Sequence, residues 1–156
     1  MRITTKGRYG IRAVVMLASA SDGKPIAISK IAQDEEVSAE FLEQIFFRLK
    51  KSGLIKSLRG PRGGFLLGRN PEDISLHDIL AAVDEAVAPA PCADPERDYA
   101  CARDELCPTR PMWQELSAIV NGYLSRVSVK DLLDRKKSFH PELLSSLEQS
   151  RSAARV

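Results

Sequence analysis

The chain has 156 residues, of which 44% are hydrophobic and 28% are charged, and it contains three cysteines with a formal net charge of +2. This length suits one folded domain with an extension, and the composition excludes a disordered chain. No apolar run is long enough to span a bilayer, so no membrane partner is expected. Arg2, Lys6, Arg8 and Arg12 interrupt the N-terminus, which lacks the apolar core of a signal peptide, and a cytoplasmic location is therefore expected.

Charge is distributed unevenly along the chain. Residues 1–70 carry 13 Lys and Arg against 6 Asp and Glu, a balance of +7. Residues 71–107 carry 2 against 10, a balance of −8, and residues 108–156 carry 8 against 5, a balance of +3. The basic end suits nucleic acid, whereas the acidic middle should face away from phosphate. The basic N-terminal part and the acidic middle part are therefore expected to have different functions.

Two helices are predicted in the first part of the chain. Apolar residues with helical spacing predict a first helix from Thr5 to about Ser19, and its start is basic. A turn at residues 22–25 follows, and Ser29 is expected to cap a short second helix. A second turn near Glu35 leads to the next element.

The third predicted helix begins after Ser38, which is placed to act as its N-cap. A one-sided apolar stripe predicts packing on a core. Its members are Leu42, Ile45, Phe46 and Leu49. The opposite face displays polar residues: Glu40, Glu43, Gln44, Arg48 and Lys51. Gln and Arg side chains suit adenine and guanine edges, and Glu can accept from cytosine N4, so this face is predicted to read bases.

A β-hairpin is predicted after Gly53. Short apolar runs at residues 54–58 and 65–67 flank a turn with three glycines and one proline. Arg59 and Arg62 in this turn are candidates for contact with phosphate or the minor groove. Helix, turn, helix and hairpin follow the order of a winged helix-turn-helix. The alternative is a helix and hairpin with an ordinary solvated charged face.

A further helix and a cysteine-containing loop are predicted next. Ser75 and Asp78 form a predicted capping box that opens the helix. Residues 86–110 show no regular pattern and contain all three cysteines, Cys92, Cys101 and Cys107. Their spacing is not that of a structural zinc site, and an odd number argues against structural disulfides. Three thiolates in one loop can supply most ligands of an iron-sulfur cluster, while zinc and unremarkable thiols stay open on composition alone.

The longest predicted helix follows this loop. Thr109 is placed as its cap and Pro111 lies in its first turn. Its apolar residues repeat as a heptad seam: Trp113, Leu116, Val120, Tyr123 and Val127. This seam predicts a dimerisation helix, although an intramolecular core helix would show the same spacing. Ser128 and Asp131 form a second predicted capping box, and residues 136–156 are expected to be a partly disordered tail.

Several short motifs occur along the chain: Leu42-Glu43-Gln44, Arg48-Leu49, Gly53-Leu54, Arg59-Gly60-Pro61 and Gly63-Gly64, with Met1-Arg2, Lys6-Gly7-Arg8-Tyr9 and Ala82-Val83-Asp84-Glu85 fitting the same pattern. Together they resemble one family, the IscR-like iron-sulfur cluster regulators. The resemblance covers about residues 1–135 and implies a mostly α fold, namely a winged helix-turn-helix domain with a small β-hairpin wing plus a long dimerisation helix. The expected divisions are 1–85 for DNA binding, 86–110 for the cysteine loop, 111–135 for the dimerisation helix and a short helix, and 136–156 for the tail.

The resemblance also implies a function. A homodimeric transcriptional repressor is expected to bind a palindromic operator in double-stranded DNA and to sense iron, redox or cluster status. Four of the expected DNA-binding residues match the reading residues of the family, namely Ser38, Glu43, Gln44 and Arg59. Glu40, Arg48 and Arg62 are expected from their places on the helix face and in the wing, and Glu40 and Arg62 depart from the family pattern. The resemblance implies Cys92, Cys101 and Cys107 as the cluster ligands. A 2Fe-2S cluster is favoured, with 4Fe-4S as the alternative.

One departure from the family leaves the fourth cluster ligand open. Arg110 stands where members with a 2Fe-2S cluster often have a histidine. Asp104, Glu105, a residue of the partner subunit or a small molecule could take this place. A regulator that senses through zinc or cysteine oxidation is an alternative, which the acidic Asp104 and Glu105 weaken because they should oppose thiolate formation. An iron-sulfur carrier is the second alternative, and no catalytic constellation supports an enzyme.

Overall fold

The computed structural model describes residues 2–19, 23–60, 62–94, 101–103 and 106–134. The helices are α1 (Thr5–Ser19), α2 (Ile28–Asp34), α3 (Ala39–Lys51), α4 (Leu76–Ala82), α5 (Arg110–Arg126) and α6 (Val129–Leu133), and the strands are β1 (Ile55–Leu58) and β2 (Gly64–Leu67). Short 3₁₀ turns occupy Pro71–Asp73 and Pro91–Ala93. The predicted fold class, mostly α with a two-stranded antiparallel hairpin, is confirmed.

Local signals set both ends of α3. The Ser38 Oγ accepts a hydrogen bond from the Phe41 backbone N–H at 3.2 Å, which confirms the predicted N-cap. Gly53 follows the helix with φ +74°, a conformation that glycine adopts without steric cost. This turn lets Leu54 donate its N–H back to the Leu49 carbonyl at 3.0 Å and directs the chain into β1.

The start of α2 differs from the prediction. Ala27 occupies the N-cap position without a side-chain cap, and Ser29 is the second residue of the helix. The predicted cap at Ser29 is therefore wrong. A tertiary contact fixes the backbone here instead, because Ile26 exchanges both backbone hydrogen bonds with Phe65 of β2, at 2.8 and 3.0 Å.

One hydrophobic core holds the first four helices and the hairpin together. Its fully buried side chains come from all four of these helices and from β1, and include Val14, Ile31, Phe46, Ile55 and Ile79. Each such side chain contributes about 1.5–3 kcal/mol through removal of its apolar surface from water. The predicted inward stripe of α3 lies entirely in this core, so its other face is turned outward.

The chain after α5 returns to this core. Leu76 donates its N–H to the Val127 carbonyl at 2.9 Å, and Val129 donates to Ile74 at 2.8 Å. Val129, the first residue of α6, is fully buried in the main core. The α6 helix is therefore packed with the winged part of the molecule, although the sequence grouped it with the dimerisation helix.

Both predicted capping boxes are present. At the start of α4 the Asp78 carboxylate accepts from the Ser75 backbone N–H at 2.9 Å, while the Asp78 N–H donates to the Ser75 hydroxyl. Ser128 and Asp131 repeat this arrangement at the start of α6. By contrast, Thr109 occupies the predicted N-cap position of α5 but makes no side-chain cap hydrogen bond.

The predicted heptad seam of α5 is divided between two environments. Val120 and Tyr123 pack against a small cluster that contains Leu80, and Val127 is buried. Within the seam, Leu116 is 37% exposed, and Met112 and Ile119 beside it are 46% and 49% exposed. The seam is thus largely intramolecular, and the outward apolar row consists of Met112, Leu116 and Ile119.

Among the described residues, none of the helices is both long and apolar enough to cross a membrane. The predicted tail at residues 136–156 lies outside the described residues, as do Pro61 in the turn of the hairpin and the candidate ligands Asp104 and Glu105.

Candidate nucleic-acid interface and cysteine site

The outward face of α3 carries most of the predicted base-reading residues. Helical residues three and four positions apart lie on the same face. Glu40, Glu43 and Gln44 follow this spacing, Ser38 is the N-cap two positions before Glu40, and all four are exposed. The structure therefore presents them together on a face that the buried stripe of α3 holds outward.

Arg48 differs from these four residues. Its guanidinium makes a salt bridge with the carboxylate of Asp84, and its side chain is 41% exposed. The sequence places Arg48 on the free face of the helix, whereas the structure pairs it with Asp84, two positions before the predicted cysteine loop at residues 86–110. A contact of Arg48 with DNA stays a prediction.

The hairpin extends beside α3 as a wing. Ile55 pairs with Leu67 at its base and Leu58 with Gly64 at its tip, which leaves Arg59 and Arg62 in the exposed turn. The sequence predicts both arginines in the turn of the hairpin, and the structure places both side chains at that end.

Two contacts fix the wing, one to α3 and one to the segment before α2. The rings of Phe46 and Phe65 meet edge to face with their centroids 4.7 Å apart. Gly64 allows β2 to lie against the backbone of Ile26, since a Cβ on this glycine would lie 2.5 Å from the Ile26 carbonyl oxygen. The position of the wing is therefore set by tertiary packing as well as by its own turn.

The sequence places Phe47 on or beside the outward face of α3, but this residue was not among the predicted DNA-binding residues. Phe47 is 70% exposed, whereas the other large apolar residues of α3 contribute to the core. Its spacing from Glu43 and Gln44 puts the ring on the same outward face of α3.

The three cysteines lie in the segment between α4 and α5, and all are half-buried free thiols. Cys92 belongs to the Pro91–Ala93 turn and lines a cavity of about 860 Å³ between α4 and α5. Among the described residues, no group of three or more His, Cys, Asp or Glu side chains is placed to hold a metal ion. The thiol chemistry fits an iron-sulfur cluster, but the described geometry does not bring the three predicted ligands together.

Cys107 lies three residues before α5. The hydroxyl of Thr109, whose Oγ1 is 3.3 Å from the Sγ, lowers the pKa of this thiol below its ordinary value. Backbone hydrogen bonds of Thr109 and Arg110 and the charge of Arg103 act in the same direction, while burial opposes them. The expected opposing effect of Asp104 and Glu105 lies outside the described residues and stays a prediction. The thiolate is the form of cysteine that binds metals and reacts with oxidants.

The start of the cysteine segment is held at several points. The buried carboxylate of Glu85 accepts from the backbone N–H of Thr4 at 2.8 Å and also from the Thr4 hydroxyl. The amide of Asn121 in α5 donates to the Val87 carbonyl at 3.0 Å. Together with Asp84 and its bond to Arg48, these contacts connect the segment to α1, α3 and α5.

The helix order, the outward polar face of α3 and the adjacent basic hairpin define a winged helix-turn-helix protein. Residues 3–135 match the model of the Rrf2 family, which is described as an iron-dependent transcriptional regulator. The chain belongs to the Rrf2 family.

Named relatives agree with this assignment. The HTH-type transcriptional regulator IscR of Photorhabdus laumondii is 36% identical over 137 residues, which are 88% of this chain and 82% of that protein. Among solved structures, CymR, described as the global cysteine regulator of B. subtilis, superposes with a TM-score of 0.73 at 30% identity, covering 88% of this chain and 99% of that chain. IscR of T. potens gives 0.70 at 28% identity, with coverage of 88% and 89%. The protein is a transcriptional regulator of this family, and the prediction that it is not an enzyme is confirmed by the relatives.

Proposed function

We propose that the protein is a homodimeric transcriptional repressor of the cytoplasm whose affinity for DNA depends on an iron-sulfur cluster held by Cys92, Cys101 and Cys107. The observation that carries the proposal is the attachment of the cysteine segment to the DNA-facing helix, through the salt bridge of Asp84 with Arg48. The iron-dependent description of the family and the similarity to IscR proteins support it.

The DNA-binding part of the proposal assigns α3 to the major groove. Ser38, Glu40, Glu43 and Gln44 would face base edges from the exposed side of the helix, where hydroxyl, carboxylate and amide groups discriminate base pairs. Arg59 and Arg62 at the tip of the wing would contact phosphate or the minor groove. Residues 1–70, with a balance of +7, supply the attraction to DNA that is independent of sequence.

The dimer part rests on α5. The outward apolar row of Met112, Leu116 and Ile119 is the surface that we assign to the partner subunit. A two-fold dimer would place two α3 helices about 34 Å apart, which matches successive major grooves on one side of a palindromic operator.

The cluster part rests on the three cysteine thiols as ligands. Three thiols on one segment suit an iron-sulfur cluster, and the lowered pKa of Cys107 favours the thiolate that such binding requires. A 2Fe-2S cluster is our first assignment and 4Fe-4S the alternative. The fourth ligand stays open among Asp104, Glu105, a residue of the partner subunit and a small molecule.

Coupling between the two parts follows from residues 84–87. Asp84 holds Arg48 of α3, Glu85 holds Thr4 before α1, and Val87 accepts from Asn121 of α5. A change in this segment alters all three contacts together. A conformation in which the α3 helices are better placed for DNA then becomes more populated. The extent of the shift depends on how much more tightly this conformation binds the cluster and DNA than the other conformation does.

The first experiment tests the cofactor. The protein is purified without oxygen, and its visible spectrum is recorded with iron and acid-labile sulfide per chain. A coloured protein that contains both elements supports the proposal, and their ratio distinguishes 2Fe-2S from 4Fe-4S. A protein that stays colourless after reconstitution removes the cluster and leaves DNA binding standing.

The second experiment tests the coupling. Cluster-bound and cluster-free protein are titrated with the same promoter duplexes across a salt series. Different affinities or different salt slopes support sensing through the cluster. Identical binding of both forms to every duplex contradicts it.

A direct thiol sensor is the second candidate function, in which zinc binding or cysteine oxidation replaces the cluster. The lowered pKa of Cys107 favours it, because thiolates are the reactive form. The anaerobic measurement separates the two candidates, since a direct sensor contains no sulfide. A cluster carrier, the remaining alternative, would keep its cluster and lose no function when Arg59 and Arg62 are replaced.

A further inference from the structure

We propose that Phe47 determines DNA specificity by covering the C5-methyl group of a thymine in the major groove. The inference rests on the proposed role of α3 as the recognition helix. Phe47 is 70% exposed, while Leu42, Ile45 and Leu49 of the same helix are fully buried. Its ring therefore contributes little to the core and is free to meet a ligand.

The position of Phe47 on the helix favours a base over a phosphate. It lies four residues after Glu43 and three after Gln44, so it shares their outward face. Lys50 and Lys51, three and four residues further on, are exposed at the end of the same helix. The ring thus lies between side chains that suit base edges and side chains that suit phosphate.

The chemistry of the ring indicates which group in the major groove it contacts. A phenyl group neither donates nor accepts a conventional hydrogen bond, and the thymine methyl is the apolar group that the major groove offers. The net positive charge of residues 1–70 favours DNA over an apolar protein surface as the occupant.

Burial of one methyl-sized group is worth about 0.8 kcal/mol, which corresponds to about a fourfold change in affinity. We therefore expect one thymine in each half-site of the operator to show a methyl effect of this size. The effect should disappear when the ring is removed.

The test begins with the unmodified protein. A preferred duplex is selected from a random library, and each thymine is replaced in turn by deoxyuridine, which lacks only the methyl group. Fluorescence anisotropy should show about a fourfold weaker binding at one position in each half-site. The absence of any methyl-sensitive position overturns the inference without any change to the protein.

The same scan is then repeated with two variants. Phe47→Ala should bind the thymine duplex about fourfold more weakly per half-site and should no longer distinguish thymine from deoxyuridine there. Lys51→Ala is the matched control on the same helix, and it should weaken all duplexes evenly and keep the methyl effect. Equal methyl effects in Phe47→Ala and the unmodified protein overturn the inference. Thermal unfolding of Phe47→Ala should match the parent, since the ring is exposed.

Failure of the inference and failure of the proposed function give different results. Specific binding that depends on Gln44 and Arg59 but not on Phe47 refutes only the thymine contact. A protein that selects no sequence, with Gln44→Ala and Arg59→Ala equal to the parent, refutes the recognition role of α3 and the inference with it. A change in oligomeric state on Phe47→Ala, measured without DNA by sedimentation, assigns the ring to a protein contact and also overturns the inference.

Discussion

Arg48 of α3 and Asp84, two residues beyond the end of α4, are joined by a salt bridge between guanidinium and carboxylate. The two side chains are 41% and 68% exposed, so the bridge contributes at most about 1 kcal/mol to stability. Its greater consequence is that it fixes the segment before the cysteines relative to α3. Asp84 has φ +50° and begins the segment that leads to Cys92, and thus one partner belongs to each of the two proposed sites.

Replacing Asp84 with Asn should strengthen DNA binding that is independent of sequence. The substitution releases Arg48 and removes a negative charge beside α3. If Arg48 then meets a phosphate, the salt dependence of log K should steepen by about 0.9. Anisotropy titrations with one duplex at several salt concentrations measure this slope.

Asp73→Asn is the matched control for this variant. It removes the same charge from the acidic part of the chain at an exposed residue whose carboxylate bonds to Asn70 rather than to α3. A steeper slope in both variants would indicate a general charge effect, and an unchanged slope in Asp84→Asn would mean that the released Arg48 does not reach DNA.

Arg59→Ala should weaken specific binding by about 1–3 kcal/mol if this side chain reads a base or a narrow minor groove. The side chain is exposed at the tip of the wing, so the fold should not change. A gel-shift titration against the selected operator gives the affinity. Lys130→Ala, which removes an equal charge from α6, should bind like the parent, and unchanged binding of Arg59→Ala would exclude Arg59 from the interface.

Most contacts between residues close together in sequence were predictable here, although Ser29 and Thr109 do not form the predicted side-chain caps. The cap at Ser38 and the boxes at Ser75 and Ser128 involve partners three residues away, and the residue types alone specify them. The outward face of α3 and the hairpin were likewise predictable, because the helical stripe and the glycine-rich turn are local patterns.

Contacts between distant residues were not predictable from one sequence. Glu85 and Thr4 are 81 positions apart, and nothing in either local pattern identifies the other as its partner. The same applies to Arg48, whose spacing indicates an exposed face although its charge is held by Asp84. A helical stripe also cannot tell a core from a subunit interface, and Val120 and Tyr123 of the predicted seam pack against a cluster within the same chain.

Thr109→Val should raise the pKa of Cys107 toward its ordinary value. The lowered pKa depends first on the Thr109 hydroxyl, which valine lacks at nearly the same size. Because a lower pKa means more thiolate at a given pH, the loss of the hydroxyl should slow alkylation near neutral pH and move its pH midpoint upward.

Iodoacetamide labelling of metal-free protein, read for each cysteine by peptide mass spectrometry, measures this effect. Thr109→Ser keeps a hydroxyl and should behave like the parent, and the rate at Cys92 should not change in either variant. A Cys107 midpoint that is the same in Thr109→Val and the parent would show that the hydroxyl does not stabilise the thiolate.

Ile119→Asp should convert the proposed dimer to a monomer. Ile119 is 49% exposed at the end of the row formed with Leu116 and Met112, and a carboxylate in this row would have to lose its hydration on association. Sedimentation velocity should show half the parental mass. Affinity for a full palindrome should fall toward that for a half-site, since one α3 helix then binds alone.

Ser125→Asp places the same charge on an exposed position of α5 away from the row and should leave the mass unchanged. A dimer that survives Ile119→Asp with full operator affinity would assign dimerisation to another surface.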